Sequence, residues 1–239
     1  MTAAEFARSR LGFRGDGKQE AVLNSGGKRG ILNCSRQWGK STVTAAKAVH
    51  RAYMEAQCLV LVASPSERQS GEFLRKAAEF LRRLGIRPRG DGDNAISLML
   101  PNGSRIVGLP GNEGTVRGFS AVSLLLIDEA ARVPDAIYKA LRPMLAVRNG
   151  DLWLMSTPCG QRGFFWEVWT QGGPEWERHS TPATECARIS EAFLKEEREA
   201  LGNLWFAQEY LCEFVDNGGQ WFGRDAVERA LWDEKRLEI

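Results

Sequence analysis

An α/β fold with a mainly parallel sheet flanked by helices is predicted by three features of this 239-residue chain. First, short and largely apolar runs recur along it: Ile31-Leu32-Asn33-Cys34, Cys58-Leu59-Val60-Leu61-Val62-Ala63, Leu124-Leu125-Leu126-Ile127 and Leu152-Trp153-Leu154-Met155. Strands that read as apolar runs are buried on both faces, the condition of a strand inside a parallel sheet. Second, segments of helical spacing lie between the runs, and strands alternating with helices imply β–α units. Third, Gly39-Lys40-Ser41 falls between the first run and the first helical segment.

Each element follows from its local pattern. Residues 1–29 read as a leader that closes at Gly26-Gly27 and carries Gln19. The strand at 31–34 leads to a helix over 42–56, and the strand at 58–63 to a helix over 67–84, where Phe73, Leu74, Ala77, Phe80, Leu81 and Leu84 share one face. Segments 96–100 and 105–109 flank Pro101-Asn102-Gly103-Ser104, turn chemistry that predicts a hairpin at the sheet edge. A strand over 122–127 ends in Asp128-Glu129, proline opens a helix over 134–145, and 152–155 is a further strand. The pattern weakens through Gln171-Gly172-Gly173-Pro174, after which 190–200, with Ser190 as N-cap, and 203–214 read as two helices of a small lid.

Bulk properties set limits. A chain with 43% hydrophobic residues can bury one substantial core. Thirty-two Lys and Arg against thirty Asp and Glu leave a charge of +2, so nucleic-acid binding must come from local patches. The five cysteines are odd in number and widely spaced, and the two histidines are far apart, which predicts neither a disulfide framework nor zinc and fits a reducing cytosol. No stretch approaches the ~20 apolar residues of a membrane span, and residues 1–12 lack a signal-peptide core, so a soluble intracellular protein is expected.

The chemistry concentrates in two places. Cys34-Ser35-Arg36-Gln37-Trp38-Gly39-Lys40-Ser41, followed by Thr42, matches the P-loop pattern at its Gly-Lys-Ser end and lies where that motif must lie, between a strand and a helix. Backbone N–H groups and a helix N-terminus wrap phosphates, a lysine reaches the β and γ oxygens, and a hydroxyl holds magnesium. Cys34 stands where the pattern usually has its first glycine, so the loop backbone departs from the simplest form. Arg36 adds a cation placed to approach the γ-phosphate, or else it is solvated.

The second place is Asp128-Glu129, at the C-terminal end of a buried strand, where open α/β sheets bind ligands. Asp128 would organise magnesium and Glu129 would orient water for attack on the γ-phosphate; the alternative is a pair that caps the next helix. Four further features carry weaker signals. Gln19 could read an adenine edge or be a surface amide. Ser156-Thr157-Pro158 would emerge near the γ-phosphate or form a turn, and Arg117 could complete a neighbour's site or be solvated. Phe164, Phe165, Trp166, Trp169 and Trp176 read as core rather than as base-stacking residues, and Arg82, Arg83, Arg87 and Arg89 as a solvated helix end.

Together Ser35-Arg36-Gln37-Trp38-Gly39-Lys40-Ser41, Thr115-Val116-Arg117-Gly118-Phe119-Ser120, Leu126-Ile127-Asp128-Glu129-Ala130 and Ser156-Thr157-Pro158 resemble the ATPase domain of large terminase subunits, the genome-packaging motors of tailed phages and prophages. The resemblance runs from about Lys18 to Phe214 and implies a RecA/ASCE-like P-loop NTPase that uses ATP and Mg2+. It makes Gln19 the adenine contact, Arg36 the Walker A arginine, Glu129 the catalytic glutamate, Ser156 and Thr157 the coupling motif, and Arg117 a candidate arginine finger acting in trans. The implied layout is a leader over 1–29, an ATPase core over 30–180, a helical lid over 181–215 and a linker over 216–239. Expected partners are double-stranded DNA, a small terminase subunit, a portal protein and further copies in a ring, in the cytoplasm of a bacterial host, with a monomer in isolation as the alternative. Family members continue into a metal-dependent nuclease; Asp216 and Asp225 lack a strand to present them, so no nuclease activity is expected here. Another P-loop translocase or helicase, or a non-catalytic prophage remnant, are the competing readings.

Overall fold

The computed structural model of the chain describes residues 1–93, 96–110 and 118–216. The seven strands are β1 (Arg29–Cys34), β2 (Leu59–Ser64), β3 (Ser97–Met99), β4 (Arg105–Pro110), β5 (Leu124–Asp128), β6 (Asp151–Ser156) and β7 (Trp176–Thr181). They form one sheet in the order β3-β4-β2-β5-β6-β1-β7, parallel throughout except for β3, which runs antiparallel to β4 at one edge. The hairpin expected at the edge is therefore there, with its second strand built into the main sheet.

Side-chain alternation along the central strands divides the core. Leu32, Cys34, Val60, Val62, Leu124, Leu126, Trp153 and Met155 face one apolar layer, and Ile31, Leu61, Ala63, Leu125, Ile127, Leu152 and Leu154 face the other. Both faces of each central strand are thus dry, which is why these segments read as apolar runs rather than as alternating ones.

Helices α3 (Lys40–Met54) and α4 (Glu67–Arg83) cover the first face, and α5 (Asp135–Leu141) and α6 (Gly163–Gln171) the second. Phe164, Phe165 and Trp176 are buried in the second layer and Tyr138 stacks on Phe164 with ring centroids 4.1 Å apart, so these three are core as expected, while Trp169 packs against the layer half-buried and Trp166 is half-buried outside it. Arg82, Arg83, Arg87 and Arg89 are exposed.

Two helices occupy the segment expected as a leader, α1 (Ala3–Arg10) and α2 (Gly17–Asn24), each opened by a capping box, at Thr2/Glu5 and Asp16/Gln19. Phe6, Leu11, Val22 and Leu23 join the first apolar layer. Lys47 of α3 fastens α2 by donating to the carbonyls of Val22 and Ser25, both at 3.0 Å.

Helix α7 (Glu191–Tyr210) follows β7, with Ser190 as N-cap and a break at Gly202, where φ is 75° and ψ 165°. The two expected helices correspond to the two halves of this element, except that the second ends at Tyr210 and not at 214. A third apolar cluster, Ala183, Leu194, Phe206 and Tyr210, packs α7 against the segment after β7.

Candidate nucleotide site

The strand order brings the two expected centres together. β1 and β5 are separated only by β6, with Asn33 opposite Ser156 and Asp128 opposite Met155. Parallel strands end at the same edge, so the loop after β1, Ser156-Thr157 after β6 and Asp128-Glu129 at the end of β5 form one rim, the edge where open α/β sheets bind ligands.

Residues 35–39 turn from β1 into α3, and Lys40 is the first residue of that helix. Gly39 takes a left-handed backbone, φ 98° and ψ 26°, and a Cβ there would stand 3.0 Å from Gln19 Nε2, so the position suits glycine in both respects. Gln37 is also left-handed, at φ 62°. Lys40 Nζ donates to the carbonyls of Cys34 and Ser35 at 2.8 and 3.0 Å, which holds its ammonium over the loop's own backbone. Ser35 Oγ and Ser156 Oγ are both buried without a hydrogen-bond partner among the described residues, so polar capacity waits on this rim. Ser41 and Thr42 are part-exposed on the first turn of α3.

The loop is pinned from outside. The Trp38 carbonyl accepts from Gln19 Nε2 at 2.7 Å and from Arg188 at 2.6 Å, and the Ser35 and Arg36 amides donate to the carbonyls of Thr181 and Glu209. The Trp38 indole is 1% exposed and belongs to the core, so this residue can face phosphate only with its backbone. Gln19 is 2% exposed, and its Oε1 accepts from the Asp16 amide at 3.1 Å. Both ends of the amide expected on an adenine edge are thus turned inward, where Gln19 caps α2 and braces the loop. Cys34 is buried, and burial pushes its thiol up to about 11. It serves as a small core side chain.

Asp128 lies at the buried end of β5, where burial, reinforced by the charge of Glu129, raises its carboxyl to about 6 against the pull of Ser41 and Lys40. The Ser41 hydroxyl lies close enough to lower that value. A serine oxygen and one carboxylate beside a phosphate loop are the donor set that suits magnesium, which takes few protein oxygens and shares the rest with phosphate. Glu129 is half-buried, with a left-handed backbone at φ 52° and ψ 41°, a conformation costly for a residue with a Cβ and concentrated at functional sites.

Two residues that the sequence reading passed over complete the rim. Arg132 ends the 3-10 turn Ala130–Arg132 and reaches Glu129, Thr157 and Glu209. Glu209, near the end of α7, is 4% exposed and accepts from Arg36 Nε at 2.6 Å and from Thr157 Oγ1 at 3.2 Å. Arg36, expected toward the γ-phosphate, is therefore held by a carboxylate in this structure. Burial works against the Glu209 carboxylate, but the Arg36 hydrogen bond and the Arg132 charge outweigh it and keep its pKa below the ordinary value. A charged residue on the face that carries Phe206 and Tyr210 was the available signal. Arg117 lies outside the described residues.

A mainly parallel sheet with a Gly-Lys-Ser loop after β1 and a carboxylate pair one strand beyond its neighbour defines a fold of the P-loop ASCE class. The family model described as "Terminase large subunit, T4likevirus-type, N-terminal" matches residues 31–229, and the chain belongs to that family. The large terminase subunit of Thermus phage G20c is 25% identical over 247 residues, which cover 89% of this chain and 51% of that protein. This chain thus spans about half the length of the curated relatives it matches, 51% in each case. The ATPase domain of the large terminase of Thermus phage P74-26 matches with a TM-score of 0.79 at 22% identity, covering 90% of this chain and all of that one. A large terminase from a thermophilic bacteriophage, solved in complex with ADP, matches with a TM-score of 0.69 at 16% identity over 83% of this chain and 53% of that one. At these identities the likeness to solved structures speaks for the fold.

Proposed function

We propose that this chain hydrolyses ATP as the motor of a viral DNA-packaging terminase, coupling each hydrolysis to movement of double-stranded DNA into a procapsid. The observation that carries the reading is the convergence of Lys40, Ser41, Asp128, Glu129, Ser156 and Thr157 at one end of a sheet whose strand order interleaves them. Membership in the terminase large-subunit family supports it, as does the ADP bound by the thermophilic-phage terminase.

In this reading the backbone N–H groups of 37–41 cradle the phosphates, since those of Ser35, Arg36 and Thr42 are already bonded, and Lys40 leaves the carbonyls of Cys34 and Ser35 for the β and γ oxygens. Arg36 leaves Glu209 to meet charge that develops on the γ-phosphate. Ser41 and Asp128 would hold magnesium, whose charge would offset that of the phosphates and the burial penalty on the Asp128 carboxylate. Glu129 orients the attacking water, and Ser156 and Thr157 sense the loss of the γ-phosphate. Gln19 reaches an adenine edge with both ends of its amide only by giving up the Trp38 carbonyl and the Asp16 amide. The segment around α7 acts as the lid over 181–215. Partners are DNA, a small subunit, a portal and neighbouring copies in a ring, in the host cytoplasm; among the described residues no helix is long and apolar enough to cross a membrane.

The test is steady-state ATP hydrolysis over a range of protein concentrations, with and without double-stranded DNA, beside Lys40→Ala as the blank. Glu129→Gln should keep ATP binding and lose at least about a hundredfold in turnover, since a positioned general base contributes roughly 10²–10⁴-fold. Activity that rises faster than concentration and vanishes in Lys40→Ala supports a motor completed by its neighbours. Bound ATP with no Lys40-dependent turnover under any condition speaks for the non-catalytic reading, and an unchanged rate in Glu129→Gln removes Glu129 from the mechanism.

A further inference from the structure

Arg132 has no part in the chemistry set out above, yet it touches several of the groups that this chemistry uses. One guanidinium nitrogen donates to Glu129 Oε2 and to Thr157 Oγ1, each at 3.1 Å, and the other to Glu209 Oε1 at 2.8 Å. Glu209 accepts from the Thr157 hydroxyl as well, at 3.2 Å, so Arg132, Thr157 and Glu209 close a ring of mutual hydrogen bonds. A guanidinium is planar and rigid, so a side chain anchored through Thr157 and Glu209 has little freedom left in how it meets a third group. That third group is Glu129, whose carboxylate, among the described residues, takes its side-chain hydrogen bond from Arg132 alone.

The contrast between the two carboxylates is informative. Taken singly, the Arg132–Glu129 pair is an ordinary half-exposed ion pair, with side chains 28% and 30% exposed, and such a pair adds little to stability. Its partner contact differs: the Glu209 side chain is 5% exposed, and removing one member of a pair that buried is costly. Arg132 is thus fixed firmly on the α7 side and offers its remaining hydrogen-bonding capacity to Glu129. This arrangement suits orientation rather than stability. A carboxylate that directs water needs its plane held, and displacements of about 1 Å at a reacting group cost on the order of a hundredfold in rate.

We infer that Arg132 is a positioning residue of the hydrolytic step, which aims the Glu129 carboxylate and ties it to the coupling hydroxyl of Thr157 and, through Glu209, to α7. The inference rests on the reading of Glu129 as the group that orients water. It makes α7 a mechanical neighbour of the reacting centre, since a shift of Glu209 moves the guanidinium that holds Glu129.

The experiment is a double-mutant cycle in the full chain under the conditions of greatest wild-type turnover, with kcat, KM and ATP binding measured for Arg132→Gln, Arg132→Lys, Glu129→Ala and Glu129→Ala/Arg132→Gln. Single-turnover hydrolysis reads the slow variants. Arg132→Gln should lower kcat by about tenfold to a hundredfold while KM moves less than about threefold, the signature of an interaction that acts on the chemical step. Arg132→Lys should recover part of the loss. In the Glu129→Ala background Arg132→Gln should have no further effect, because a residue that acts through Glu129 has nothing left to position. Thr157→Val, which removes one anchor with little change of volume, gives the same test if Arg132→Gln does not fold, with a smaller loss of kcat that again disappears without Glu129.

An equal fold loss in both backgrounds, or a rise in KM with kcat unchanged, overturns the inference and leaves Arg132 a structural residue. Wild-type turnover in Arg132→Gln beside an inactive Glu129→Ala overturns it while the reading of Glu129 stands. Wild-type turnover in Glu129→Ala removes both.

Discussion

Glu209 shows how one side chain can matter to the site without meeting the substrate. It is a buried carboxylate between Arg36 and Arg132, its pKa held below the ordinary 4.5 because the two cations outweigh burial. A carboxylate whose folded pKa is depressed contributes stability that is present above the unfolded pKa, near 4.5, and is lost as pH falls through the lower folded value. Glu209→Gln should therefore lower unfolding free energy at neutral pH by roughly 1–3 kcal/mol, and the gap between variant and wild type should narrow as pH falls below about 4.5. The cost stays below that of stranding a wholly buried ion, since the Arg36 side chain is 61% exposed and can return to water. Denaturant unfolding of both proteins between pH 3 and 7 measures it; a gap that is constant with pH would mean that Glu209 holds its place by shape and not by charge. The sequence offers at most a charged residue on an apolar helix face for Glu209 and nothing for the role of Arg132, because the contacts that join them to the rim are mostly to other elements. Lys40, Ser41, Asp128 and Glu129 were legible because the P-loop and the carboxylate pair are compact signals in the right order along the chain.

Helix α7 is the element on which these contacts depend, and its break is a backbone property. Gly202 has φ 75° and ψ 165°, a region that side chains with a Cβ rarely enter, while a Cβ there would meet no atom within 4 Å. Gly202→Ala should therefore destabilise through the backbone alone, by about 1–3 kcal/mol. Were α7 continuous in solution, the same change would instead stabilise by about 0.5–1 kcal/mol, the usual advantage of alanine inside a helix, and a thermal melt gives the sign. The two expected helices over 190–200 and 203–214 had located this break. β7 was missed because an edge strand bonded on one side buries only some of its residues, so Trp176–Thr181 reads as mixed rather than apolar. The helices α1 and α2 were missed for their brevity, two turns each, too short for spacing to show. Their capping boxes, Thr2 with Glu5 and Asp16 with Gln19, were visible in the sequence and would have revealed them, and with them the reason Gln19 is turned inward.

At the scale of the whole molecule, the rim already holds two arginines of its own, Arg36 and Arg132, and both are engaged by Glu209. Catalysis by an assembled motor would add a third arginine from a neighbour, and Arg117 is the candidate that the terminase resemblance supplies. A residue that completes another subunit's site affects turnover only where subunits meet, whereas a residue of its own site affects turnover at every concentration. Arg117→Glu should thus leave ATP affinity near that of the wild type and abolish the rise in specific activity with protein concentration, lowering turnover at high concentration by about 10³-fold or more if the arginine stabilises transition-state charge as such residues do elsewhere. Mixing tests the same point independently. Arg117→Glu chains carry intact Lys40 and Glu129, and Lys40→Ala chains carry an intact Arg117, so two inactive preparations should regain part of the turnover when combined. Equal loss at low and high concentration, with no recovery on mixing, would place Arg117 in its own subunit's structure and leave the charge on the γ-phosphate to Lys40, Arg36 and the metal.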